Sequence, residues 1–469
     1  MSERVADYLA GQQDVILERL LTLIRCPSVS TDPAFTEGMR AARELLLDRL
    51  HEIGMQDVRL LEAPGGQPAV YGAWTAAGPD KPTIMIYGHY DVQPADPLDL
   101  WLSPPFEPSI RDGRIYARGA SDVKGSTTIA VEAVAGFLAV EGGCPINVKL
   151  FLEGEEEVGS PSLPALIEAH RDLLAADAML SADGGGAAGK VPVLNIGCRG
   201  IAALQFSLRT AKKDAHSGKV GGAMRNALHE MARLVATLHD DEGRVAVEGF
   251  EAGAQPITHA LRTESASLPL DEAAWYAEFG AMPFGDPAFT VRERTTLRPT
   301  VEVNGMWGGY TGQGGKTVTP AEAHAKLTMR LVPGQDPAAA QAAVKAHLER
   351  RAPPGVTLEF NHRPGGTRAY TLGADHPLRT AAAAVLRREK GAEPAVMRLG
   401  GTVPITTLFK EQLGIDSLMF GLASADEDAH APNEFFRLSS LEEGLRLWPL
   451  LLTELARMTP AAFRRTAAG

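Results

Sequence analysis

Val148-Lys149-Leu150-Phe151-Leu152 runs without a break into Glu153-Gly154-Glu155-Glu156-Glu157 and stops at a Gly159-Ser160 turn. A bulky apolar run of this length reads as a buried strand. Acids at its carboxyl end then stand where open α/β sheets place their ligands. An acidic run by itself is usually a solvated loop, so the weight falls on what else the chain supplies. His89-Tyr90-Asp91 follows the apolar stretch Thr83–Gly88, and Asp122 sits in a Ser-Asp turn ahead of a long helix. Asp183 closes another apolar run just before Gly184-Gly185-Gly186, and His430 comes soon after the strand-like Leu418–Leu422.

His89 and Asp91 lie two apart, so extended backbone turns them the same way. A carboxylate in that place can orient the ring and raise its basicity. Asp122 is either a helix N-cap or a bridge that gives one oxygen to each of two cations about 3.5–4 Å apart. Glu156 and Glu157 cannot both reach one point from regular strand backbone, which leaves one to ligate and the other to handle a water. With His89, Asp183 and His430 the set becomes two imidazoles and three carboxylates, one of them bridging. Nitrogen and oxygen donors of this kind suit zinc, or manganese or cobalt, and the parts are those of a two-metal hydrolase. The histidines His170, His239 and His347 read as surface residues on polar helix faces.

The elements that must position these groups alternate between strand and helix. Helices are expected from Leu17 to Ile24, from Thr36 to Ile53 with Gly54 as the stop, from about Lys124 onward, and from Ser162 to Ala176. Strands are expected at Val58–Leu61, Ala69–Trp74, Thr83–Gly88 and Ala178–Ala182, with a hairpin at Arg111-Asp112-Gly113-Arg114. From about Gly200 the texture changes. Leu204–Thr210 and His324–Val332 alternate as half-exposed strands do, a helix is expected from Met224 to His239, and Pro337–Ala352 is a helix capped by Asp336. The stretch from Asp240 to Gly315 shows no regular pattern. After Tyr370 the helix-strand-helix order returns, through Asp375–Lys390, Ser417–Leu422 and Ser440–Met458. The fold class is therefore α/β, in two domains.

The 469 residues exceed one ordinary core, given roughly 150 residues per domain. A net charge of −12 with no basic stripe argues against a nucleic-acid partner. Cys26, Cys144 and Cys198 are odd in number and far apart, which points to a reducing compartment. The start Met1-Ser2-Glu3-Arg4 carries no signal-peptide pattern, and no apolar run approaches the roughly 20 residues of a membrane span. A cytoplasmic protein with no membrane partner is expected.

Seven segments together resemble the dinuclear-metal peptidase family that contains carnosinase-type dipeptidases, glutamate carboxypeptidases and aminoacylases, the dipeptidase branch above all. They are Tyr87–Pro94, Arg118–Gly125, Glu153–Ser160, Asp214–Gly218, Arg330–Pro333, Arg398–Thr402 and Ala429–Glu434. The resemblance implies a catalytic α/β domain at 1–198 and 369–469, with a mixed central sheet and helices on both faces. It also implies a smaller inserted α+β lid or dimerisation domain at 199–368. The implied metal ligands are His89, Asp122 as the bridge, Glu157, Asp183 and His430, holding two divalent ions, zinc first. Glu156 matches the general base and Asp91 the support of His89. His216, acting on the partner of a homodimer, matches an oxyanion contact. Arg330, Thr402, Gly401 and Asn226 match substrate-binding positions, and a cis peptide is implied after Asp122. Relatives often carry an acid where this chain has Val123 and Leu399; neither is a ligand position. The expected activity is hydrolysis of dipeptides or short peptides with a free carboxyl end. An N-acyl-amino-acid deacylase using the same site is the alternative, and a silent metal-binding scaffold the more distant one.

Overall fold

In the computed structural model, which describes residues 2–186, 191–362 and 364–464, four parallel strands lie side by side. Their order is Asn147–Glu153, Thr83–His89, Ala178–Ser181 and Ser417–Met419. Ala69–Trp74 adds antiparallel to Asn147–Glu153, Asp57–Leu61 pairs antiparallel beyond it, and Val193–Cys198 lies antiparallel to Ser417–Met419. The sheet is therefore mixed, as expected. The parallel strands are buried almost throughout, which is why they read as continuous apolar runs rather than alternating ones. All four run the same way, so their carboxyl ends lie along one edge.

Helix Gly125–Glu141 packs beneath the Asp122 turn and is buried from Gly125 to Phe137. Ala120–Glu141 is long and apolar enough to cross a membrane, yet 83% of its apolar window is buried, the position of a core helix. Ser2–Gly11, which the sequence reading passed over, packs on it together with Leu438–Leu455. Helix Thr36–Glu52 ends at Gly54, whose φ of 80° only glycine adopts cheaply. The expected helix from Ser162 is in fact two, Leu163–Ala169 and Arg171–Leu174, broken at His170.

The chain groups into two units. One is Met1–Gly197, Leu372–Met397 and Pro404–Gly469; the other is Cys198–Thr371 with Arg398–Val403. The second unit is built on an antiparallel sheet ordered Thr300–Gly308, Glu322–Leu331, Gly200–Arg209, Thr357–Phe360. Ala202, Leu204, Phe206 and Leu208 alternate inward with Ala323, Ala325, Leu327 and Met329 on the neighbouring strand, and helices Ala227–Ala236 and Pro337–Arg351 complete that core. Period-two burial on the strands and helices against one face make it α+β. Arg398–Val403 falls within the range read as catalytic but groups with the second unit. Backbone and side chain of Arg199 donate to the carbonyls of Leu399 and Gly400, and Arg398 pairs with Glu264.

The irregular stretch before Gly315 contains three short helices, His259–Ala266, Glu272–Glu278 and Val291–Thr296, and the edge strand Thr300–Gly308. His347, expected on the surface, is buried, with Nε2 2.9 Å from Thr237 Oγ1. Helix Pro337–Arg351 buries Ala340, Gln341, Val344, His347 and Leu348, one continuous stripe in which two members are polar. His239 lies past the end of its expected helix, in a bridge with Val245. Cys26, Cys144 and Cys198 are buried and form no disulfide.

His376 caps helix Pro377–Lys390, its Nδ1 accepting the Leu378 N–H at 3.2 Å, and is itself buried. Burial lowers its pKa from 6.5 to about 4, against the pull of Asp416 and with help from Lys410. The unfolded chain therefore binds this proton first, so stability is complete above pH 6.5 and is lost as pH falls toward 4. Between pH 7.5 and pH 5 this one group should cost roughly 2 kcal/mol. Urea unfolding at the two pH values should show that loss for the wild type and a smaller one for His376→Asn, which keeps the cap. Equal losses in both proteins would rule the assignment out.

Candidate metal centre

His89 ends its strand with its two ring nitrogens facing different neighbours. Nδ1 lies 3.0 Å from the Asp91 carbonyl oxygen, which can only accept, so Nδ1 carries the proton and Nε2 presents a lone pair. The Asp91 carboxylate stands farther off, 3.4 Å from Nδ1, and has a second task. Its oxygens accept the backbone N–H groups of Glu156 and Glu157 at 3.2 and 3.1 Å. Asp91 thus fixes the imidazole with its main chain and the acidic turn with its side chain. That turn, Glu156–Val158, closes on Gly159 at φ 79° and turns the backbone so that successive glutamates diverge. Glu155 points back into the protein, accepting from Gln67 N and from Ser162.

Asp122 follows strand Arg114–Tyr116, at the turn before helix Gly125–Glu141, and its peptide bond to Val123 is cis. Its two oxygens face two rings: Oδ1 lies 3.2 Å from His89 Nε2 and Oδ2 lies 2.9 Å from His430 Nε2. Glu157 Oε2 approaches the same His430 nitrogen at 3.2 Å and accepts from Gln93 Nε2 at 2.8 Å. Asp183 extends from the end of Ala178–Ser181, its Oδ1 accepting the Gly184 N–H.

Two clusters result, and Asp122 belongs to both. His89, Asp122 and Asp183 form one; Asp122, Glu157 and His430 form the other, with donor atoms within 4.8 Å of one another in each. Glu156 stands outside both. The donors fit divalent cations on a structural observation: His89 Nε2 is fully buried and has no hydrogen-bond partner, although it faces a carboxylate. Charge agrees. Burial, with Asp183, Glu157 and Asp122 around it, pushes Glu156 up to about 9, and burial with Asp122 pushes Asp183 up to about 6. Four carboxylates share two imidazoles, an imbalance that cations relieve.

The remaining expected residues lie in the second unit. Arg330 NH1 donates to Thr402 Oγ1 at 2.8 Å, bringing those two together, and Gly401 adjoins Thr402. His216 is exposed in the short strand Ala215–His216, its Nδ1 accepting the Gly218 N–H and its Nε2 3.4 Å from Thr317 Oγ1. Asn226 caps helix Ala227–Ala236, its Oδ1 accepting from Leu228 and His229.

A mixed α/β unit that gathers imidazoles and carboxylates at the carboxyl ends of parallel strands, with an antiparallel α+β unit inserted in its sequence, is the make-up of a metal-dependent hydrolase. The model of peptidase family M20/M25/M40 matches residues 85–454, and the chain belongs to that family of metallopeptidases. It is similar to the Beta-Ala-His dipeptidase of Homo sapiens, 28% identical over 477 residues that cover 97% of this chain and 93% of that one. It is also similar to the Cys-Gly metallodipeptidase of Schizosaccharomyces pombe, 26% identical over 474 residues, 98% of this chain and 99% of that one. Among solved structures, the M20 family metallo-carboxypeptidase of Sulfolobus solfataricus superposes with a TM-score of 0.81 at 30% identity, covering 94% of this chain and 99% of that chain.

Two residues that hold the site escaped the sequence reading. Glu434 is fully buried and accepts from Arg118 NH1 at 2.6 Å and from the backbone N–H groups of Gly119, Ser121 and Asp122 at 2.9 to 3.0 Å. Glu427, also buried, accepts from Ser121 Oγ, Ser424 N and Arg437. The signal was faint: Glu434 closes a loop that contains His430, and nothing local says its partner is Arg118. Glu434→Ala should leave Arg118 charged and unpaired in the interior, at a cost of about 3–5 kcal/mol in denaturant unfolding. Because the Asp122 turn loses three bonds as well, chelator competition should show metal affinity falling by about 10–100-fold. Unchanged values in both measurements would mean the turn holds its shape without Glu434.

Proposed function

We propose that this protein hydrolyses the peptide bond of dipeptides or other short peptides with a free carboxyl end, using two divalent ions, zinc first. The observation that supports it is the sharing of Asp122: one oxygen toward His89, the other toward His430, with Glu156 beside both clusters and in neither. In this reading His89, Asp122 and Asp183 hold one ion, and Asp122, Glu157 and His430 the other. The chemistry that such ions supply when bound is an acidified water and a polarised scissile carbonyl.

The chain's own residues do the rest. A Glu156 oxygen takes the proton of the attacking water and later delivers one to the leaving amine nitrogen. Asp91 keeps the backbone of that glutamate in place and His89 in the right tautomer. The Arg330 fork, steadied by Thr402, grips the free carboxylate of the substrate. The dipeptidase names of the similar proteins favour small peptides over N-acyl amino acids, and a rate panel of both substrate types on metal-loaded protein decides between them.

The same reading has the protein act as a homodimer joined through its second units, with His216 completing the partner's oxyanion contact. Edge strand Thr300–Gly308 supports this, for it exposes Val303, Met306 and Trp307 at 42, 47 and 41%. An open edge with apolar side chains is a pairing surface.

Glu156→Gln should keep close to two ions per chain and lose several orders of magnitude in turnover, whereas Glu157→Gln should lose metal. The reverse pattern in metal analysis would exchange their roles. Mixed His216→Ala and Glu156→Gln subunits, each inactive alone, should regain up to one working site per exchanged dimer. Demonstrated exchange with no return of activity would confine His216 to its own chain or remove it from the reaction.

A further inference from the structure

The second unit carries an open cavity of about 880 Å³, within the range of small-molecule sites. Its wall carries Arg199, Arg244, Arg294, Arg298 and Arg330 against Glu251, Asp286 and Glu302. Arg244 pairs with Asp286 at 3.2 Å and Arg298 with Glu251. That leaves Arg199, Arg294 and Arg330 with no carboxylate at ion-pair distance among the described residues, while Glu302 is exposed. Arg199 is only 9% exposed. Its Nε donates to the Gly400 carbonyl at 2.8 Å and its NH1 to the Arg298 carbonyl at 3.1 Å. Carbonyls satisfy its hydrogens without neutralising its charge. Burial and the neighbouring Arg330 lower its pKa to about 10, a fall that the exposed Glu302 carboxylate offsets only in part. A buried guanidinium next to a like charge is stabilised by an anion.

The other wall is apolar. Trp275 packs edge-on against Tyr276 and Phe279 at 5.0 and 5.1 Å, and Phe289 lies 4.7 Å under the Arg298 guanidinium. Arg294 NH2 stands 3.3 Å from the Tyr276 hydroxyl. Around the mouth Phe279, Met282 and Phe284 remain 62, 83 and 71% exposed. Large apolar side chains left open beside unneutralised arginines describe an occupant with one anionic end and one apolar body.

We propose that this cavity binds a carboxylate carried on an aromatic or bulky apolar body, with Arg199 and Arg330 taking the carboxylate and the wall from Trp275 to Phe289 taking the body. Planar forks suit a carboxylate, and the aromatic wall selects what is attached to it. Where the occupant is the carboxyl-terminal residue of a peptide substrate, the assignment rests on the reading of Arg330 given above; where it is a free acid, it stands apart from that reading.

Binding to the metal-free full chain, followed by calorimetry and tryptophan fluorescence, tests the site without turnover. N-acetyl-L-phenylalanine should bind at least tenfold more tightly than N-acetylglycine, and N-acetyl-L-phenylalaninamide should not bind measurably. Arg199→Gln and Trp275→Ala should each weaken the first ligand tenfold or more, and Arg199→Lys, which keeps the charge, should recover part of the loss and guards against a folding defect in the glutamine variant. Equal binding of the phenylalanine and glycine acids, or an unchanged affinity in Arg199→Gln, would overturn the proposal. Metal-loaded protein then identifies the source. A rise in KM confined to dipeptides ending in phenylalanine makes the occupant the substrate's end; an unchanged KM with binding retained makes it a free acid. Absence of any hydrolysis with binding intact would count against the proposed activity and leave the site standing.

Discussion

The contact on which the candidate metal centre depends is a buried ion pair that touches none of the candidate donor atoms. Arg118 and Glu434 meet at 2.6 Å with side chains 1 and 0% exposed. A buried pair repays its desolvation only when its remaining hydrogen-bonding capacity is used. Glu434 uses it on the N–H groups of the turn that presents Asp122. The same turn is gripped by Glu427 through Ser121 Oγ. His430 lies between these two glutamates in sequence, so the loop that carries the second imidazole is tied at both ends to the turn that carries the shared carboxylate. Asn433 ties the same loop elsewhere, its Oδ1 accepting the Leu102 N–H and its Nδ2 donating to the Leu100 carbonyl. Rigid supports of this kind set the distance between donor atoms before any cation binds.

The acidic run shows how one short stretch performs several tasks. Glu153 accepts from the buried Tyr87 hydroxyl at 2.6 Å, Glu155 braces the turn against Gln67 and Ser162, Glu157 meets His430, and Glu156 stands in neither donor cluster. Composition treats these residues as interchangeable. Their roles are separated by backbone direction alone, set by the strand end, the Asp91 carboxylate and the left-handed Gly159.

Much of this was legible in the sequence wherever a signal is local. Buried parallel strands announce themselves as apolar runs, the alternation of Gly200–Arg209 and Glu322–Leu331 marks half-exposed strands, and His89 and Asp183 sit at the ends of such apolar runs. What was not legible has physical reasons. Helices of six to eight residues, such as Glu272–Glu278 and Val291–Thr296, do not complete enough turns for periodicity to register, although Thr290 and Glu293 form a capping box. His347 and Gln341 are polar members of a buried stripe and so misreport the inward face. The tasks of Glu427 and Glu434 depend on partners about 300 residues away, as the separation of 312 between Asp122 and Glu434 illustrates.

That separation also fixes when the site comes into being. A chain emerging amino end first presents His89, Asp91, Asp122 and the acidic run long before Glu434 and His430 exist. Until then Arg118 has no carboxylate beside it, the Asp122 turn has no anchor, and one of the two imidazoles is missing. Most of the candidate donors are thus made before the last of them, and the set is complete only when the loop from Glu427 to Glu434 docks on the Asp122 turn.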